Sequence, residues 1–321
     1  MKLHARNSKK MYASLLGGLL LLVIGGVTGC HETSVLAASN PTQQTFAAPE
    51  EAGQALQAAA RTGDENALEQ VLGVDSKAIL SSGDQEEDKA AVASFVAKYD
   101  RMNRWVTMTD GSRILYIGAD NYPYPVPLMQ DASSRWYFDS AAGKDEILAR
   151  RIGKNELLAI DATYAMANAE ELYHKHRHDD DKVRQYTLKI LSTPGKQDGL
   201  YWEVRPTQPS SPLGRLNDFA KDVVESTKPG APPIFDGYSF RVLTAQGENA
   251  KGGAKSYLVD GDMTDGFAII AIPVTYGDSG IMTFILSRQG VVYQKDLGPK
   301  TTEIADSIYS YNPDNGWTPA E

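Results

Sequence analysis

The amino-acid sequence predicts an α+β protein in which helices and antiparallel strands are segregated along the chain. Three observations carry that reading. Apolar residues recur at helical spacing between residues 50 and 102. They then give way to short strand-like runs punctuated by turn residues such as Asp110-Gly111. The same order returns: a long helical stretch over 155–173 precedes a carboxy-terminal third made of strand-like runs. Helices first and an antiparallel meander next is the order of an α+β unit.

Residues 50–61 read as a helix with Ala52, Leu56, Ala59 and Ala60 on one face. Thr62-Gly63-Asp64 breaks it and caps a second helix that buries Leu68, Val71 and Leu72. Residues 83–89 read as a charged loop, and helical spacing resumes over 90–102 through Val92, Phe95, Val96 and Tyr99. Strand runs follow at 105–108 and 113–117. The proline-rich stretch 122–129 should be an edge strand, because proline has no N–H to give a ladder. Residues 135–139 complete a meander that ends near Ala141.

A short helix is expected over 144–152, interrupted by Gly153, before the helix at 155–173. Leu157, Ile160, Tyr164 and Ala167 line one stripe of the latter, and Leu158, Ala165, Ala169 and Leu172 an adjacent one. Another helix is expected over 215–226 through Leu216, Phe219, Val223 and Val224, ended by the proline-rich segment 228–233. Strands then follow. The almost wholly apolar run 267–274 suits a central strand covered on both faces. Residues 280–286 and 291–294 flank the tight turn Arg288-Gln289-Gly290. The helix at 155–173 is expected to pack on this antiparallel sheet.

The amino terminus carries Lys2, Arg6, Lys9 and Lys10 and then an apolar core over 15–24, ending in Val27-Thr28-Gly29-Cys30. That is the layout of a bacterial export leader. The core is shorter than the roughly 20 residues of a bilayer span. Val27-Thr28-Gly29-Cys30 resembles a lipobox, which implies diacylglyceryl attachment at Cys30 and cleavage before it. A plain secretory leader is the alternative. The expected organisation is a leader (1–29), an acylated, disordered tether (30–49), an amino-terminal α+β unit (50–143) and a helix-plus-sheet domain (144–321). Two or more acyl chains anchor stably where one does not. His31, where sorting rules would read an Asp as inner-membrane retention, favours the outer membrane facing the periplasm.

Removing the four leader bases from 32 Lys and Arg leaves 28 against 41 acids, a formal charge of −13. Such a surface repels phosphate backbones, which argues against nucleic-acid partners. Cys30 is the one cysteine; once acylated, it leaves no thiol for a disulfide or metal site.

Several stretches resemble a family of bacterial lipoproteins known only as domain of unknown function 2950. They are Ser192-Thr193-Pro194-Gly195-Lys196-Gln197-Asp198-Gly199-Leu200-Tyr201-Trp202, Ser211-Pro212-Leu213-Gly214, Gly237-Tyr238-Ser239-Phe240-Arg241, Leu243-Thr244-Ala245-Gln246-Gly247, Gly266-Phe267-Ala268 and the run 290–298. The resemblance implies no activity and carries over no catalytic residue. A looser likeness joins Ala159-Ile160-Asp161-Ala162-Thr163-Tyr164 and the segment 238–297 to the globular heads of type IV pilins and pseudopilins. The pilin stalk is missing.

His174, His176 and His178, followed by Asp179-Asp180-Asp181, form the most chemically loaded segment. Imidazoles and carboxylates bind a divalent metal when three or more converge, and on a strand these histidines would share a face. At a helix end they would instead be solvated and complement the dipole. By resemblance, relatives carry a calcium-loop-like, Asp-rich stretch here, but the glycine such a loop needs is missing. Gly277-Asp278-Ser279-Gly280 looks like a serine-protease nucleophile segment, yet the histidines available to it are His31 and the 174–178 group. Tyr122, Tyr124 and Trp136, with Tyr137, are candidate groove-lining aromatics for glycan or peptide, or else packing of the meander. The expected function is a non-enzymatic binding or assembly factor, tied to the membrane by its lipid and meeting an envelope protein or polymer. A carboxylate-based hydrolase of envelope polymers and a pilin-like subunit are the alternatives.

Overall fold

The computed structural model describes residues 43–81, 85–203, 209–215 and 232–320. All of them lie in one compact unit, Ser39–Glu321. The leader, Cys30 and residues 31–42 fall outside the described residues.

Helix α1 (Pro49–Thr62) starts with a proline, whose missing N–H is not needed in a first turn. It ends at Gly63, whose φ of 67° is open to glycine and whose N–H bonds Ala60 O. Asp64 then caps α2 (Glu65–Leu72) by accepting from the N–H groups of Asn66 and Ala67. The break predicted at Thr62-Gly63-Asp64 is therefore present, and the predicted core positions of both helices are buried. A single 3-10 turn (Val74–Ser76) leads to α3 (Lys77–Leu80) and α4 (Gln85–Arg101). The charged loop expected over 83–89 is a correction: from Gln85 onward it is helix. A solvated helix face carries the same charges as a loop.

The first sheet is antiparallel, in the order β1 (Asn103–Thr107), β2 (Arg113–Ile117), β4 (Leu128–Gln130), β5 (Trp136–Phe138), with β3 (Tyr122–Pro123) also on β2. The stretch 122–129 is not one edge strand. Pro123, Pro125 and Pro127 withhold every second N–H, so the ladder survives only as the fragments β3 and β4. The tether expected up to residue 49 is also corrected. Phe46 and Trp136 exchange both backbone hydrogen bonds at 2.8 Å, and the Gln43 amide donates to Phe138 O at 2.8 Å. One buried aromatic outweighs the polar composition around it.

Helix α5 (Ser140–Tyr173) runs 34 residues, capped by Asp139. Two helices broken at Gly153 were expected. An interior glycine costs only about 1 kcal/mol relative to alanine, less than the packing on either side supplies. At the amino-terminal end Ser140 Oγ donates to Leu72 O at 2.5 Å, and a Cβ on Gly143 would lie 2.7 Å from Val126. Farther along, α5 packs on the carboxy-terminal sheet. The expected division at 143/144 therefore falls inside a helix roughly 50 Å long that both halves share. Its buried stripe is Asn155, Ala159, Ala162, Thr163, Met166, Ala169, Glu170 and Tyr173. Of the expected stripe, Ile160 and Ala167 pack against this core half-buried, whereas Leu157 and Tyr164 face outward at 58% and 39% exposed. Alanines let the helix axis approach the sheet, whereas bulky side chains on that face would hold it away.

The second sheet is six-stranded and antiparallel. Its order is β16 (Thr318–Pro319), β14 (Val292–Asp296), β13 (Met282–Ser287), β12 (Ala268–Pro273), β7 (Tyr238–Leu243), β6 (Ile234–Phe235). The predicted central strand is β12, buried at every position. Gly290 N–H bonds Ser287 O to close the β13–β14 turn. Short strands β8 (Ala245–Gln246), β9 (Lys255–Ser256) and β15 (Ser310–Tyr311) form a small sheet, and β10 (Leu258–Val259) pairs with β11 (Asp262–Met263). Helix α6 (Thr301–Asp306) packs on β12. The helix expected over 215–226 lies outside the described residues, apart from the 3-10 turn Leu213–Arg215. The α+β class stands, with a long helix on an antiparallel carboxy-terminal sheet. Among the described residues no helix is long and apolar enough to cross a membrane.

Candidate functional site

The amino-terminal half leaves a space that its side chains do not fill. Helices α1, α2, α3 and α4, the β2–β3 edge and the first turns of α5 border a half-open cavity of about 370 Å³. Leu56, Leu68, Val92, Phe95, Ile117 and Ile147 line it. It adjoins a wider cleft of about 1040 Å³ between α1, α2, α3 and α4, with which it shares Ala60, Leu68, Leu80, Asp88 and Val92. The cleft walls mix apolar and polar side chains, and two ion pairs lie along them: Arg61 with Asp100 at 2.7 Å and Lys77 with Glu69 at 3.6 Å.

Two of the three aromatics proposed from sequence, Tyr122 and Tyr124, line the smaller cavity. Tyr124 packs its ring on Phe95, with centroids 5.2 Å apart. Burial pushes its hydroxyl well above the ordinary phenol range, and the neighbouring Tyr122 adds to the shift. By exposed surface the residue is only half-buried. Tyr122 sits at the rim, with the Lys98 ammonium 4.7 Å from its ring centroid and bonded to Asp120 at 2.7 Å. Trp136 does not join them. It is buried against Phe46, with the Arg113 guanidinium over its ring.

The three histidines do not converge. Past the end of α5 the chain turns, and His178 stacks on Tyr173 with centroids 3.9 Å apart while its Nε2 meets Tyr173 O at 2.9 Å. His174 stacks on Tyr186 at 4.4 Å, and burial lowers its pKa. His176 is exposed. Among the described residues no three His, Cys, Asp or Glu side chains form a group able to hold a metal ion. The expected divalent metal at His174, His176 and His178 therefore has no convergent donor set, because two of the rings are used as aromatic packing.

Near these rings lies a residue that the sequence reading passed over. Glu170 is fully buried in the α5–sheet interface. Its Oε2 accepts the Thr187 N–H at 3.0 Å, and its Oε1 has no partner. Burial pushes its pKa well above the carboxylate range. The Thr187 bond opposes that shift and the adjacent Glu171 adds to it. Glu170 lies in phase with Met166 and Tyr173 on the small-residue stripe. Choosing that stripe as the buried face would have exposed an acid in the core.

The Gly277-Asp278-Ser279-Gly280 segment is a docking loop for α5. Ser279 Oγ accepts the Thr275 N–H and donates to Thr275 O, Asn155 Nδ2 donates to Ser279 O, and Arg151 pairs with Asp278. Asn155 and Tyr173 stand 18 residues apart on one helix, about 27 Å. The described histidines at the far end are thus out of hydrogen-bond reach of Ser279, and a serine-protease triad is not assembled from them.

The described residues form one α+β unit, with a groove and an adjoining cleft among its amino-terminal helices. The chain belongs to the DUF2950 family of proteins of unknown function, whose profile matches residues 43–320. No curated protein and no solved structure matches it.

Proposed function

We propose that the protein is an exported, lipid-anchored envelope lipoprotein that acts by binding rather than by catalysis. The observation that carries the binding role is the groove of about 370 Å³ among the amino-terminal helices, lined mainly by apolar side chains together with Tyr122 and Tyr124. Ligand sites are concave, mostly apolar and furnished with few polar groups, and this cavity falls within the usual range of about 300–1,000 Å³. Anchoring rests on the basic and apolar leader and on Cys30 after Val27-Thr28-Gly29. The placement that follows is the outer membrane facing the periplasm, with an envelope component as partner.

The test is radiolabelled palmitate incorporation with membrane fractionation, comparing wild type with Cys30→Ala. Wild type should carry label and sediment with the outer membrane, and the variant should lose both. Unlabelled wild-type protein, or label that persists in the variant, would overturn the anchoring.

A further inference from the structure

We infer that Glu170 is a proton-dependent latch: with its carboxyl neutral it holds the segment 186–202 closed on α5, and loss of the proton lets that segment open while the sheet beneath it stays folded.

The surroundings of the carboxyl set this up. Glu170 is fully buried on the sheet-facing stripe of α5. Its Oε2 accepts the Thr187 N–H at 3.0 Å, and Oε1 meets no donor. The nearby cation, Arg288 after β13, is bonded to Glu171 at 2.8 Å. Tyr186, on the segment, turns its hydroxyl to the same Glu171 oxygen at 3.5 Å and stacks on His174, beside which Arg184 lies. On the other side is Tyr173, with Asp179, Asp181 and Asp198 around its ring. Strands β12 and β13 contain no ionisable residue. Those of β14 are engaged elsewhere, Lys295 with Asp314 and Asp296 with the Tyr276 hydroxyl. A buried carboxylate with one backbone donor and no cation of its own is poorly compensated for lost hydration, so the closed segment favours the neutral acid.

The segment hangs on this point. Thr187 gives its N–H to Glu170 and its hydroxyl hydrogen to Asp198 O at 2.8 Å. The N–H groups of Leu200 and Tyr201 bond the carbonyls of Lys189 and Ile190, which makes the segment a hairpin. Tyr186 N–H bonds Met263 O on β11. Among the described residues no backbone hydrogen bond joins the hairpin to the six-stranded sheet. What holds it there is side-chain packing of Ile190, Leu200 and Trp202, so it can lift without unpairing a strand. Opening hydrates Glu170 and returns it to ordinary carboxyl behaviour. Closure therefore keeps its full stability below the ordinary carboxyl pKa and loses it as pH rises toward that of the buried acid. Across that window the closed-to-open ratio falls about tenfold per pH unit.

The test is hydrogen exchange of the full chain from pH 5 to pH 9, read by mass spectrometry and corrected for the intrinsic pH dependence of exchange. Peptides from 186–202 should lose protection about tenfold per pH unit in wild type until the buried acid ionises, and at every pH should be less protected than peptides from β12 and β13. Glu170→Gln should remove the slope. Glu170→Met, which leaves no polar atom in the core, gives the same readout should the amide variant not fold. Glu171→Gln should keep the slope. A flat wild-type profile overturns the latch, as does a slope that survives in both Glu170 variants or vanishes in Glu171→Gln. Equal protection of segment and sheet would show that the segment opens only with the whole fold, and overturns it too.

Discussion

The two halves of this protein use similar helices and antiparallel strands to opposite ends. In the carboxy-terminal half, α5 lays a small-residue stripe on β12 and β13, and β12 is buried at all six positions. In the amino-terminal half, Tyr99 of α4 is buried, while Val92 and Phe95 stay half-buried around the groove. A helix that approaches through alanines closes its interface. A helix that leans on large side chains over a short, proline-broken sheet leaves a gap. The contrast teaches that close approach through small residues gives the tightly packed core, while larger, half-buried side chains leave a groove.

The largest expected effect tests the tightly packed core. Phe284→Ala, at a fully buried β13 position, should cost about 3–5 kcal/mol in denaturant unfolding. Phe95→Ala on the cavity wall should cost on the order of 1 kcal/mol, because the site is already open. Equal losses would erase the distinction between the halves.

A middle-sized effect comes from Glu170. Its folded-state pKa is raised, chiefly by burial, so the native protein holds a proton that the unfolded chain releases above its ordinary value near 4. The groups facing it are Thr187, Glu171, Tyr173 and Tyr186. Its favourable contribution is complete below the unfolded pKa and is lost as pH rises toward the folded one. The melting temperature of wild type should therefore decline from pH 5 to pH 8 more steeply than that of Glu170→Gln. Parallel curves would mean that the carboxyl is ionised in the core.

The smallest effect belongs to the cleft rim. Arg61→Ala removes a bidentate but exposed pair with Asp100 and should change stability by less than about 1 kcal/mol. A larger loss would show the cleft to be part of the stabilising core.

Much of this architecture was legible in the chain. The break between α1 and α2 was marked by Thr62-Gly63-Asp64, since glycine supplies the left-handed turn and aspartate the cap. The run that became β12 was marked by its length and by residues apolar without alternation. Other features were not legible. Gly153 looked like a stop, but local propensity is weak against contacts on both sides. Phe46 sits in a polar window that reads as tether, because its partner, Trp136, is 90 residues away. In the sequence Tyr122, Tyr124 and Trp136 read as one aromatic cluster. Sequence neighbourhood could not show that β-pleat and proline breaks send the first two to the cavity and the third against Phe46.

The sequence by itself determined the class of fold, the order of helices and strands, most of their core faces and the acidic balance of the chain, because period, turn residues and charge are local properties. The tertiary structure alone decided which stripe of α5 is buried, that the histidines serve as packing, and that a chamber remains between the helices. Each of those depends on how closely two elements approach, and that distance is set by partners far away in the chain.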